Sequence, residues 1–124
     1  DPQPFTAMIV HITDSQVVGE TSSTLWSTLQ QGPIALNLIV KNSGVNTMNY
    51  RLQEHNGSAW VDLGASGSDY YNTLSPNEVK QFKVSSVYAQ VQMVGNASGG
   101  AFLEFSIQRY ANRASGGSIP ILNL

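Results

Sequence analysis

The sequence predicts an all-β protein, an antiparallel β-sandwich or a jelly-roll-like barrel of about seven to eight strands. Short segments of alternating apolar and polar residues recur between turn-forming residues, at spacings of about eight to twelve residues. An Asn-Gly dipeptide at 56–57 separates two such segments, and this dipeptide is the strongest short hairpin signal. No helical period continues for more than two turns. Alternation at period two implies that each strand buries one face.

The strands are predicted from segments in which every second residue is apolar. Residues 34–42 are the clearest case, because four apolar residues occupy alternate positions and would face one core. Residues 14–19 predict a turn with a short extended piece, and residues 64–72 predict a loop. Strands are predicted, in chain order, at residues 5–13, 34–42, 47–55, 58–63, 79–84, 87–94 and 101–110.

Residues 21–31 carry two conflicting signals. Leu25, Trp26 and Leu29 lie at helical spacing, and a Gly-Pro pair follows that would end a helix. Serine and threonine dominate the segment, however, and both disfavour the interior of a helix. We therefore expect a loop with at most one helical turn.

The chain is expected to form one domain with an arm at each end. Residues 1–4 contain two prolines and predict an extended arm, residues 5–111 contain the strands, and residues 112–124 combine a Gly/Ser linker with an apolar end. Apolar side chains on a flexible arm favour docking in a groove of a neighbouring subunit; the alternative is that the arm covers its own sandwich. The partner-contact residues predicted in this arm are Ile119, Ile121, Leu122 and Leu124.

The low content of charge is the unusual feature of the composition. Charged residues make up 11% of the chain, against about a quarter in an average soluble domain. An uncharged polar surface loses little ion hydration when a partner covers it; an extracellular domain rich in Ser, Thr and Asn is the alternative. The net charge is −2 and no basic stripe is visible, so nucleic acid is not expected as a partner. No apolar run approaches the roughly 20 residues of a membrane helix, so no membrane is expected either.

The chemistry-bearing residues form no recognisable motif. The two histidines, His11 and His55, have no nucleophile motif near them, and no pair of acids has a motif spacing. The chain has no cysteine, which excludes disulfides and thiolate metal sites. We therefore expect no catalytic residue, no metal and no cofactor; a small hydrolase is the least favoured alternative.

The aromatic residues suggest binding. Trp26 and the pair Tyr70 and Tyr71 lie in predicted loops, so we expect them among the partner contacts, whereas Trp60 is expected to cap the core. The alternative function is a carbohydrate-binding module, in which Trp26, Trp60, Tyr70 and Tyr71 would stack on sugar rings.

Three stretches of the chain, residues 36–63, 74–84 and 87–110, resemble small β-sandwich structural proteins of tailed bacteriophage particles. This family includes capsid decoration (cement) proteins and parts of the tail or baseplate. The resemblance implies a non-enzymatic virion structural protein on the exterior of the capsid. It would form a dimer or trimer and contact the major capsid protein or another virion subunit. The residues that match the family's pattern are Asn42, Tyr50, Gln53, Gly57, Trp60 and Pro76.

Overall fold

The computed structural model describes residues 6–29, 34–86 and 90–113, and it places all of them in strands, turns and loops. The strands of this part of the chain number nine, against the seven to eight predicted. In chain order they are β1 (Thr6–Val18), β2 (Ser23–Leu29), β3 (Ile34–Asn42), β4 (Met48–His55), β5 (Trp60–Asp62), β6 (Tyr71–Leu74), β7 (Val79–Ser86), β8 (Gln90–Asn96) and β9 (Ala101–Arg113).

The strands form two antiparallel sheets that pack face to face, which confirms the predicted sandwich. The four-stranded sheet has the order β1-β9-β3-β7. The five-stranded sheet has the order β2-β8-β4-β5, and β6 pairs with β4 beside β5. Consecutive strands often lie in different sheets, so the chain crosses repeatedly between the two layers.

The core lies between the sheets and follows the predicted alternation. In β4, Met48, Tyr50 and Leu52 are buried, and Asn49 between them is exposed. Full burial of each large apolar side chain stabilises the fold by about 1.5–3 kcal/mol. The buried apolar residues of the other strands include Leu36, Leu38, Val40, Phe82, Val84, Val91, Met93, Leu103, Phe105 and Ile107.

The segment predicted as a loop with one helical turn is a strand, β2. Its register against β8 shifts between Thr24 and Trp26, which marks a β-bulge. A bulge adds one residue to a strand, so Leu25 and Trp26 both reach the core although they are neighbours in sequence. The same spacing resembles a helical period, and this explains why the prediction was wrong.

Two strands are longer than predicted because they pair with each other. β1 and β9 stay in register from Thr6 opposite Arg113 to Val18 opposite Ala101. The polar residues 14–16 suggested a turn, but thirteen consecutive cross-strand pairs keep them in β1. β9 likewise continues two residues into the predicted linker, which began at residue 112. A further strand, β6, begins inside the predicted loop at 64–72.

The hairpin predicted at residues 56–57 joins β4 to β5. The backbone N–H of Asn56 donates to the carbonyl of Ala59 over 3.0 Å. Gly57 has a φ of 93°, whereas Asn56 keeps a negative φ. The central residues of the turn are therefore Gly57 and Ser58, one position later than predicted, and the glycine supplies the positive φ.

Candidate functional site on the outer face of the five-stranded sheet

Side chains on the outer face of the five-stranded sheet are mostly polar, and four of them form a row of hydrogen bonds. They face outward because their neighbours in each strand face the core. In the centre of the sheet, β4 pairs with β8 over six residues in an unbroken register. The outward cross-strand pairs are Asn49 with Asn96, Arg51 with Val94, and Gln53 with Gln92.

A row of hydrogen bonds crosses this face through four strands, and we call it the amide row. Thr24 Oγ1 donates to Gln92 Oε1 over 3.4 Å, Gln92 Nε2 donates to Gln53 Oε1 over 2.8 Å, and Gln53 Nε2 donates to Asp62 Oδ1 over 2.9 Å. Gln53 and Gln92 are 8% and 7% exposed. Because amides this deeply buried need partners, the row fixes their rotamers and ends on a carboxylate, a stronger acceptor than a neutral oxygen.

Arg51 stands beside the end of the amide row and is held from two sides. Its Nη1 lies 3.6 Å from Oδ2 of Asp62, and its guanidinium carbon lies 5.6 Å from the ring centroid of Tyr71. Both members of the ion pair are more than a third exposed, so the pair adds little to stability. The ion pair and the contact with Tyr71 instead determine where the guanidinium lies on the surface.

Arg51 and Tyr71 line a shallow open depression of about 180 Å³. Its floor is the backbone where β4 meets β8. A Cβ at Gly95 would lie 2.4 Å from the carbonyl oxygen of Asn49, so no larger residue fits at this point without moving a strand. The depression is lined by Ser22, Asn49, Tyr50, Arg51, Tyr71, Val94, Gly95 and Asn96.

The two asparagines of the depression offer polar groups to a ligand. Asn96 Nδ2 donates to the carbonyl of Glu20 over 3.2 Å, which orients the amide. Among the described residues, the exposed side chain of Asn49 has no hydrogen-bond partner. An amide presents both donors and an acceptor, so the site can recognise groups that do both.

The structure separates the aromatic residues that the sequence grouped together. Trp26 is 5% exposed, and its ring lies 6.4 Å from that of Phe105. It was predicted as a partner contact, but the bulge in β2 turns it into the core, where it can reach neither a subunit nor a sugar. Tyr70 is partly buried against the core, 6.0 Å from the ring of Phe82. Of the predicted contacts that the structure describes, Tyr71 is the one that lines the depression.

Trp60 does not cap the core as predicted. It pairs with His55 at the end of the β4-β5 hairpin, and the two rings meet edge to face with centroids 5.2 Å apart. Nδ1 of His55 accepts the backbone N–H of Gly57 over 3.1 Å. His55 and Trp60 therefore support the turn, on the outer face but away from the lining of the depression.

Some predicted residues lie outside the part of the chain that the structure describes. These are the arm of residues 1–4 and the C-terminal contacts Ile119, Ile121, Leu122 and Leu124. His11 lies in β1 opposite Gln108. Within the described ranges, no group of three or more His, Cys, Asp or Glu could hold a metal, and no helix there is long and apolar enough to cross a membrane.

Two of the residues on which the proposed resemblance rests, Asn42 and Tyr50, hold turns and loops in place. The buried amide of Asn42 donates to the carbonyls of Asn46 and Leu74 and accepts the N–H of Gly44. The hydroxyl of Tyr50 donates to the carbonyl of Asp69 over 2.5 Å and accepts from Lys80 over 3.0 Å. The spacing of these residues is therefore explained by their structural roles in a β-sandwich, where they bond to the backbone of turns and loops.

One buried charge was missed by sequence reasoning. Arg109 is fully buried, on the core side of β9. It shares the inward face with Phe105 and Ile107, and burial lowers the pKa of its guanidinium. The alternation of inward and outward residues in β9 continues through position 109 and would place this side chain inside. An arginine is not expected in a core because it is charged, so its burial was not predicted.

β1 forms an open edge of the four-stranded sheet. In the described part of the chain it pairs with β9 alone. Residues 13–17 are exposed on both faces of the strand. Val17 is 67% exposed beside Phe102, its cross-strand partner, and Val45 is 87% exposed in the turn that lies against Phe102. Within the described residues, this end of the sheet therefore combines backbone groups that have no strand partner with three exposed apolar residues, Val17, Val45 and Phe102, which we call the apolar cluster.

No protein-family model matches the chain, and no curated protein matches it significantly.

Proposed function

We propose that this chain is a non-enzymatic structural protein of a virion, a decoration protein that binds the capsid exterior and clamps neighbouring subunits. The observation that supports this proposal is the open edge of β1. The strand is thirteen residues long, keeps one register with β9, and contains Asp14 as its single charged residue apart from His11. Long regular edges of this kind are templates for a strand from another chain.

The other sheet edges carry features that discourage such pairing. β2 has a bulge, β5 and β6 contain three and four residues, and β7 carries Lys80 and Lys83. Bulges, short strands and lysines are the usual means of blunting an edge. The contrast favours β1 as the contact edge, with a second copy of the chain or a capsid subunit as the partner.

The apolar cluster at the end of β1 adds to this contact. Val17, Val45 and Phe102 would leave water when a neighbour covers the edge, at about 25 cal/mol for each Å² buried. A single contact of this size is weak. Repetition over a closed shell converts many weak contacts into firm attachment, so a small protein can stabilise a large particle.

Attachment to particles tests the proposal. Mass spectrometry of particles purified from the source culture should find the chain in stoichiometric amounts. Stripped particles should rebind the recombinant chain, and Thr13→Lys with Val17→Lys should weaken rebinding at least tenfold because they place charge on the contact edge. Ser58→Lys, at an exposed turn of the opposite sheet, is the matched control and should rebind normally. Absence of the chain from purified particles would contradict the proposal.

The C-terminal arm belongs to the same proposal. Deletion of residues 115–124 should leave the melting temperature nearly unchanged and weaken rebinding to particles, because the arm would dock on a neighbour. If the truncated chain unfolds instead, the arm covers its own sandwich.

A further inference from the structure

We propose that the depression on the outer face of the five-stranded sheet binds one neutral sugar ring of a glycan. This site is separate from the β1 edge and does not depend on the proposed role in a particle. Its size sets the first limit. At about 180 Å³ it is smaller than the roughly 300–1,000 Å³ of pockets for drug-sized ligands, so it has space for a single small unit.

The polar groups of the depression match the hydroxyls of a sugar. Each sugar hydroxyl both donates and accepts, and a pair of neighbouring hydroxyls fits a side-chain amide that does the same. Asn49 presents such an amide, and Asn96 is oriented by its bond to the carbonyl of Glu20. Ser22 adds a hydroxyl at the rim. A peptide ligand would be expected to need apolar subsites, whereas Val94 is the one aliphatic side chain of the lining.

Tyr71 supplies an apolar surface for the carbon face of the ring. It is half-buried at the start of β6, opposite Arg51 on β4. The guanidinium of Arg51 lies over one face of the phenol, which keeps the ring in place before any ligand arrives. A ring that is already ordered loses little side-chain entropy on binding.

The charges of the site favour a neutral ligand. Arg51 is the one charged residue in the lining, and Asp62 lies 3.6 Å from its Nη1. A sugar carboxylate that approached Arg51 would compete with Asp62 and be repelled by it. A neutral hydroxyl can accept from the remaining N–H groups of the guanidinium without breaking that pair.

The amide row makes the site rigid. Gln92, Gln53 and Asp62 hold each other in sequence, and Asp62 in turn positions Arg51. Gly95 pairs with the inward-facing Tyr50, and a Cβ there would lie 2.4 Å from the carbonyl oxygen of Asn49, so glycine lets β4 and β8 pack closely beneath the depression. Preorganisation of this kind compensates for a shallow site.

Titration of the isotope-labelled chain with single sugars tests the assignment. The probes are glucose, galactose, mannose and N-acetylglucosamine as neutral sugars, glucuronic acid as an acidic one, and a neutral Gly-Ser peptide. We expect one or more neutral sugars, at tens of millimolar, to shift the side-chain amide signals of Asn49 and Asn96 and the backbone amide of Gly95. Signals of β1 should not move.

Variants locate the site. Asn49→Ala and Tyr71→Ala should each weaken sugar binding at least tenfold, and Tyr71→Phe should keep most of it if the ring face carries the contact. Trp60→Ala, an aromatic loss on the same face, and Gln81→Ala, an amide loss on the opposite sheet, are the matched controls and should bind normally. Melting curves confirm that each variant is folded, and Tyr71→Phe with Asn49→Ala keeps the test valid if Tyr71→Ala unfolds.

Four results would overturn the proposal. Binding of glucuronic acid alone would contradict the neutral ligand, and binding of the peptide alone would contradict the sugar. Loss of sugar binding in Trp60→Ala but not in Asn49→Ala would move the site to the hairpin. No shift with any probe at these concentrations would show that the depression is not a sugar site.

Discussion

The two edge strands on one side of the sandwich, β1 and β2, differ in how they expose the unpaired backbone groups of a sheet edge. β2 is bulged, and its Leu25, Trp26 and Thr28 are buried. β1 is regular, and its residues 13–17 are exposed. An edge strand offers unpaired backbone groups to any other chain. The difference indicates that β2 contributes more to the core of the monomer, whereas residues 13–17 of β1 form a regular and exposed edge in the described part of the chain.

The outer faces of the two sheets differ in the same sense. The five-stranded sheet carries the amide row, in which each side chain donates a hydrogen bond to the next one along the row. The four-stranded sheet carries separate exposed residues such as Ile39 and Val79, and a hydrogen bond between Gln81 and Asn37 that lies in solvent. A preorganised face suits a small ligand, and a face whose side chains are mostly exposed suits adaptation to a larger surface.

The largest expected effect on stability comes from truncating a buried side chain of the edge strand β2. Trp26→Ala should lower the free energy of unfolding by about 3–5 kcal/mol, because it leaves a cavity between β2 and Phe105. Val17→Ala on β1 should change it by no more than about 0.5 kcal/mol. Urea denaturation of both variants measures the contrast. Equal losses would show that β1 is as important to the monomer as β2.

The amide row should contribute more to the free energy of unfolding than the exposed hydrogen bond between Gln81 and Asn37. Gln53→Ala leaves the buried Gln92 amide without its acceptor and Asp62 without its donor, so we expect a loss of about 1–3 kcal/mol. Gln81→Ala breaks an exposed amide pair on the other sheet and should cost about 0.5 kcal/mol or less. Chemical denaturation again provides the measurement. A larger loss in Gln81→Ala would mean that the amide row is not the more stabilising network.

Much of the fold could be predicted from sequence because alternation is a local signal. Leu36, Leu38 and Val40 read as one buried face, and the structure confirms it. The bulge at Leu25 and Trp26 could not be predicted, since one inserted residue makes a strand resemble a helix turn. The length of β1 also escaped prediction, because its polar residues are held by pairing with a strand almost ninety positions away.

The candidate site was predicted only in part, for a different reason. Tyr71 was singled out as an aromatic in a loop, and it lines the depression. Asn49 and Asn96 were not, because asparagine is frequent in this chain and nothing local marks two of them as neighbours. They meet through the register of β4 against β8. A site made by cross-strand pairing is not visible until the strand order is known.

The hairpin offers a smaller test of local conformation. Gly57 has a φ of 93°, and nothing lies within 4 Å of a Cβ built there. Gly57→Ala should therefore destabilise the fold through backbone strain alone, by about 1 kcal/mol. Gly19→Ala is the matched control, since Gly19 also has open space but no positive φ, and it should be neutral or slightly stabilising. Thermal melts distinguish the two. Equal melting temperatures would contradict the assigned turn.

The smallest expected effect is a dependence of stability on alkaline pH through Tyr50. Burial raises the pKa of this phenol above its ordinary value near 10, and the hydrogen bond from Lys80 only partly opposes that. The unfolded chain therefore loses this proton at a lower pH than the folded chain. The contribution of the Tyr50 phenol to folding stability is fully present below about pH 10. It is lost as the pH rises from there towards the higher pKa of the folded state.

Tyr50→Phe isolates this contribution. The variant loses the bonds to Asp69 and Lys80, so it should be less stable than the wild type at neutral pH. Above about pH 10 its stability should fall less steeply, because it lacks the phenol that titrates between the two states. Urea denaturation of both proteins at neutral and alkaline pH gives the two slopes. Parallel slopes would show that Tyr50 is not protected from ionisation by the core.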